Sequence, residues 1–75
     1  MSHKTIKGKI EKIARRFGIY RLVVQAEPKR VIADFDAPPE TKTKLRQGSA
    51  VEIAGVLKSE GYESICLENC RVLPA

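Results

Sequence analysis

Arg15-Arg16-Phe17 is the stretch of this sequence best suited to hold a ligand. Two adjacent guanidiniums offer forked donors that match phosphate oxygens. An aromatic beside them offers a face to a nucleobase, and such stacking is worth about 1–3 kcal/mol per base. The competing reading is a solvated turn with Phe17 folded over one end of the core. Arg21, Gln25 and Arg30 extend the basic pattern at strand spacing. The arginines can stack or contact phosphate, and Gln25 can hydrogen-bond base edges. Asp34 shares their parity, so a cross-strand ion pair with Arg30 is the plain alternative. Lys9 and Lys12, with Lys7, add long-range attraction, although a lysine on a strand edge also simply blocks unwanted pairing. Tyr62, next to Gly61, can stack on a base or close off the core.

The charge is unevenly spread. Residues 1–30 hold nine bases against two acids, Glu11 and Glu27, a net of +7. Residues 31–75 hold five bases and seven acids, a net of −2, which together give the formal +5. A sign asymmetry of this size on strand-like segments suggests a surface for a polyanion.

Other chemistry finds few residues. The sequence has no Gly-rich phosphate loop and no Ser/His/Asp set. Its one histidine, His3, falls in residues 1–4, which read as a frayed terminus. No enzymatic activity, cofactor or metal is expected. Asp34 and Asp36 read as a polar strand end leading into Pro38-Pro39 rather than as cation ligands. Cys66 and Cys70 on one strand would have Cα atoms ~13 Å apart. A disulfide needs about 4.4–6.8 Å, so two reduced thiols are expected, in keeping with a cytoplasmic location. No apolar run approaches the ~20 residues of a membrane span. At 75 residues the chain makes one small domain.

Five strand-like runs must position these residues. They are read at Thr5–Ala14, Ile19–Ala26, Arg30–Phe35, Ala50–Lys58 and Tyr62–Leu73. In the first, Ile6, Gly8 and Ile10 alternate and Ile13 breaks parity, which predicts a β-bulge. Gly8 suggests a close backbone approach. Tyr20, Leu22 and Val24 share the core parity of the second run, although Tyr20 lies near enough to its start to face the barrel mouth. Val31, Ala33 and Phe35 form the core side of the third. Glu27-Pro28-Lys29 joins these two as a hairpin, and Ser59-Glu60-Gly61 is a second turn. A parity change near Glu68-Asn69 predicts another bulge. Residues 37–48 lack alternation and read as one or two helical turns, or an irregular connector, anchored by Leu45 and plugging one end. Four alternating runs with one polar face predict antiparallel pairing. The whole predicts an all-β, five-stranded Greek-key barrel.

This order resembles the oligonucleotide/oligosaccharide-binding (OB) fold over about Thr5 to Leu73. The residues that carry the resemblance are Lys7-Gly-Lys-Ile-Glu-Lys-Ile13, Phe17-Gly-Ile-Tyr-Arg-Leu-Val-Val24, and Leu45-Arg-Gln-Gly-Ser-Ala-Val-Glu-Ile-Ala-Gly-Val-Leu57. The Gly8–Leu22 stretch is also similar to the opening of S-one-type ribosomal domains and of bacterial translation initiation factor one. The later Gly-Leu-x-His-x-Ser segment of the former has no counterpart here, so the resemblance is to the superfamily and not to one member. It implies a ligand lying across strands 2 and 3, flanked by the loops at 14–18 and 59–62. Two functions are therefore expected to compete. One is non-catalytic binding of single-stranded or structured nucleic acid, with RNA favoured over DNA by the look-alikes. The other is a protein-interaction module, a small accessory subunit of a replication or translation complex, using Ile19, Val23 and Ile32 on the outer parity. Either fits a monomer or a weak homodimer.

Overall fold

Apolar alternation builds five strands in the computed structural model, which describes residues 2–27, 29–36 and 45–73. They are β1 (His3–Arg16), β2 (Ile19–Gln25), β3 (Arg30–Phe35), β4 (Ala50–Glu60) and β5 (Ser64–Val72). They close into a barrel in the order β1-β2-β3-β5-β4, with β4 returning to β1. The core comes from one parity of each strand: Ile10 of β1; Tyr20, Leu22 and Val24 of β2; Val31, Ala33 and Phe35 of β3; Val51 and Ile53 of β4; Ile65 and Leu67 of β5. No polar side chain is buried among the described residues. This architecture is compatible with an OB-like barrel.

The expectation of wholly antiparallel pairing is corrected. β3 and β5 run parallel, with Val31 opposite Ile65 and Ala33 opposite Leu67. The reason is arithmetic. Direction must reverse at every antiparallel neighbour, and a closed ring with an odd number of strands cannot alternate all the way round. Four pairings are antiparallel and the β3–β5 seam takes the remainder.

β1 belongs to two ladders. His3–Lys9 pairs with β4, and Lys9–Arg16 pairs with β2. The strand must coil sharply where it changes partner, and Gly8 sits there. A Cβ at Gly8 would meet the Gln25 carbonyl oxygen and stand 2.7 Å from Val24 Cγ1. The expected bulge lies between Ile10 and Lys12. The backbone groups of Ile10 find partners in the turn before β4: its N–H donates to Ser49 O at 2.9 Å, and its carbonyl accepts from Gly48 N at 2.7 Å. Gly48 holds φ 89°, a left-handed conformation that glycine adopts without steric cost.

The second bulge is also found. Ala54 faces Arg71 while Val56 faces Glu68, so β5 carries one extra residue there. Asn69 takes φ 50° at this point, in the left-handed region where Asn is tolerated. Leu45 packs against the core, as its place in the connector predicts, whereas residues 37–44 of that connector lie outside the described residues.

Several boundaries move. Residues 2–4 are tied down rather than frayed: His3 lies opposite Val56, and Ser2 O accepts from Leu57 N at 2.8 Å. β1 runs on to Arg16, so the loop expected at 14–18 shrinks to Phe17-Gly18. β4 continues through Ser59 and Glu60, with an extra residue at Lys58. The turn expected at 59–62 therefore falls at Gly61–Glu63, and β5 starts at Ser64 rather than Tyr62.

Candidate nucleic-acid interface

The outer face of β1, β2 and β3 is set by register. Lys9 lies opposite Gln25, Lys12 opposite Val23, Ala14 opposite Arg21 and Arg16 opposite Ile19. On the far side of β2, Arg21 faces Asp34 and Val23 faces Ile32. Arg21, Gln25 and Arg30 therefore share one face, as their parity requires. Tyr20 and Phe35, by contrast, are buried and meet edge to face, with centroids 6.0 Å apart.

Charge on that face is not distributed as the sequence suggested. Asp34 pairs with Arg21 and not with Arg30, because the register sets those two directly opposite. The contact is forked, with Nε donating to Oδ1 at 2.6 Å and Nη2 to Oδ2 at 3.1 Å. Donating these hydrogen bonds to the Asp34 carboxylate raises the Arg21 pKa further above its already high ordinary value. Arg30 donates through Nε to Glu11 at 3.1 Å. Glu11 is the extra residue of the β1 bulge and is exposed on the outside of the barrel. Both strand arginines thus carry a carboxylate, and the β2–β3 face is close to neutral at those points.

Unpaired positive charge collects on β1 instead. Lys9, Lys12, Arg15 and Arg16 form no ion pair among the described residues, and all four are exposed. Lys9, Lys12 and Arg16 follow the outer face. Arg15 follows the inner parity, opposite Tyr20, and its guanidinium carbon stands 5.4 Å from the centre of the Tyr20 ring. Arg15 and Arg16 therefore diverge to opposite faces of the ribbon rather than gripping one phosphate together. This follows once Phe17-Gly18 is seen as a two-residue turn, and the X-Gly pair between apolar runs was the available signal.

At the tip, Phe17 has φ 51° and Gly18 φ 77°. Two successive positive φ values give the primed turn that matches strand twist. Phe17 is 95% exposed and does not fold over the core. Residues 15–20 surround an open, mainly apolar depression of about 300 Å³. Tyr62 is fully exposed and does not close the barrel. It sits in the β4–β5 turn, whose Glu63 carbonyl accepts from Arg30 N at 3.1 Å at the start of β3. Phe17 precedes the start of β2, and β3 runs antiparallel to β2. The two exposed aromatics accordingly mark opposite ends of the β2–β3 face, roughly 20 Å apart at strand rise.

No protein-family model, curated protein or solved structure matches this chain. What the face binds must be argued from its own residues. It offers two aromatic rings, a row of unpaired cations along β1, and a patch formed by Ile19, Val23 and Ile32. Ile19 is 43% exposed; Val23 and Ile32 are half-buried. Lys58 stands apart on β4, which pairs with β1 and β5 and not with β2 or β3.

Proposed function

We propose that this protein is an OB-type module that binds single-stranded or structured nucleic acid without catalysing a reaction on it. The observation that carries this reading is the pairing of an exposed aromatic tip, Phe17, with unpaired Lys9, Lys12, Arg15 and Arg16 on the same hairpin. Cations attract the backbone and the ring takes a base. Tyr62 supplies a second platform at the other end of the face, and Gln25, which closes β2 at that end, is available for base edges. Arg21 and Arg30 contribute less than their type suggests, because each is already neutralised.

Fluorescence anisotropy with labelled RNA and DNA, single and double stranded, at two or more salt concentrations tests the proposal. Three to four phosphate contacts predict that log affinity for a single strand falls with log salt at a slope of about −2 to −3. Phe17→Ala should weaken binding by about 1–3 kcal/mol at unchanged slope, since stacking releases no counterions. Lys58→Ala should bind as the parent does. Absence of salt-sensitive binding to every probe would remove this reading. RNA is favoured over DNA only by the resemblance of the β1–β2 region, and the same titration decides it.

A second reading, docking on a protein partner or a second copy of the chain, is favoured by one observation. Neutralising Arg21 and Arg30 leaves Ile19, Val23 and Ile32 as a weakly polar strip on the outer face. Sedimentation of the parent and of an Ile19→Lys, Ile32→Lys variant tests the homodimer form. Identical monomeric behaviour of both would exclude it.

A further inference from the structure

The tip of the β1–β2 hairpin sets residue type against conformation. Primed two-residue turns favour Asn, Asp or Gly at the first central position, because an L side chain with a Cβ is crowded at positive φ. Phe17 occupies that position at φ 51° and packs against almost nothing. A ring that neither eases the turn nor fills the core is placed for something outside the molecule, and strain of this kind clusters at functional sites.

Its neighbours say what. Arg15 and Arg16 leave opposite faces of the ribbon, one above the Tyr20 ring and one beside Ile19. A single strand following the outer face would meet Arg16 and pass Arg15 by. Two backbones parting around the tip would meet both. We propose that the hairpin is a wedge for a duplex–single-strand junction: Phe17 stacks on the last base pair, and Arg15 and Arg16 each hold one of the two phosphate chains. Apolar side chains elsewhere insert at base steps in this manner. The inference rests on the nucleic-acid reading above and narrows its target.

Three labelled probes separate the two claims: a hairpin duplex with a single-stranded tail, the same hairpin without the tail, and the tail alone. Each is made as RNA and as DNA. The tailed hairpin should bind roughly tenfold more tightly than the tail alone, the gain of one stacked ring. Phe17→Ala should erase that preference, weakening the tailed hairpin about tenfold more than it weakens the tail, and Phe17→Trp should keep it. On the tailed hairpin, Arg15→Ala and Arg16→Ala should each reduce the salt slope by about 0.7–0.9. On the tail alone, only Arg16→Ala should do so. A 2-aminopurine at the last base pair should change its fluorescence with the parent and not with Phe17→Ala. Equal binding to tailed hairpin and tail, or a junction preference that survives Phe17→Ala, overturns the wedge while salt-sensitive binding keeps the broader reading. Failure to bind any probe overturns both. Circular dichroism of each variant confirms the fold, and Phe17 has little packing to lose.

Discussion

Phe17 illustrates how a residue can serve function against local stability. Phe17→Asn places a side chain suited to positive φ in the same turn, and should raise unfolding free energy by about 0.5–1 kcal/mol. Urea denaturation checks this, and the same variant should lose the junction preference. Asp34 offers the reverse experiment on charge. Asp34→Asn breaks the forked pair with Arg21 and frees a guanidinium on the outer face, so affinity for nucleic acid should rise and the salt slope steepen by about 0.7. The exposed pair contributes only about 0.2–1 kcal/mol, so the fold should persist. At this scale the exposure of Arg15, Arg16, Phe17 and Tyr62 agrees with what their types suggested, whereas the carboxylate partners of Arg21 and Arg30 could not be assigned from type. Nor could the directions of Arg15 and Arg16. Whether two adjacent arginines converge or diverge depends on where β1 ends, and that is set by a two-residue turn which propensity does not favour at Phe17.

The strands depend on two glycines where backbones approach closely. Gly8→Ala would force β1 away from Gln25 and Val24 at its change of partner. Gly55→Ala would bring a methyl within 2.6 Å of Cys70 Sγ and 3.2 Å of Glu68 O. Each should cost about 1–3 kcal/mol of stability, measured by denaturant titration, with Gly8 the worse because its nearest obstacle is backbone, whereas that of Gly55 is the Cys70 side chain. Cys70 beside Gly55 gives an independent probe of this seam. Burial raises its thiol from an ordinary 9.0 to about 11. Thiolate is the reactive form, so alkylation at pH 8–9 should be much slower in the folded protein than in urea. The sign for stability follows. The unfolded thiol ionises first, so any contribution is complete below the unfolded pKa and is lost as pH rises from about 9 towards 11. The bulges near Ile13 and Asn69 could be read from sequence because each breaks the two-residue period, whereas the extra residue at Lys58 is followed in β4 only by Ser59 and Glu60, with no apolar position to show a break. Strand ends could not be read, since Ser59 and Glu60 join β4 through tertiary pairing with Cys66 and Ile65 although their local chemistry suggests a turn.

Across the whole molecule, closure decides what the parts can do. The closed five-stranded barrel was within reach of pattern reasoning, and an odd strand count then forces a parallel seam, but its place between β3 and β5 was not read from the sequence. The charge pattern was visible only as a total. Its real distribution depends on which carboxylate each arginine meets, Asp34 for Arg21 and Glu11 for Arg30. Closure also has an order in time. β1, β2 and β3 are consecutive and can pair as soon as residue 35 has been made. The other ladder of β1 must wait for β4, which begins at Ala50. Until then the stretch His3–Gly8 offers an open edge to any passing strand. Lys4 and Lys7 stand on that stretch, with Lys9 at its end, and Lys7 meets Glu52 at 3.8 Å once β4 docks. These lysines are guards of an unfinished barrel as much as charges on a finished one. Replacing Lys4 and Lys7 with Thr should leave the native fold intact yet increase light scattering during refolding at high protein concentration. Equal scattering from variant and parent would show that the waiting edge needs no guard.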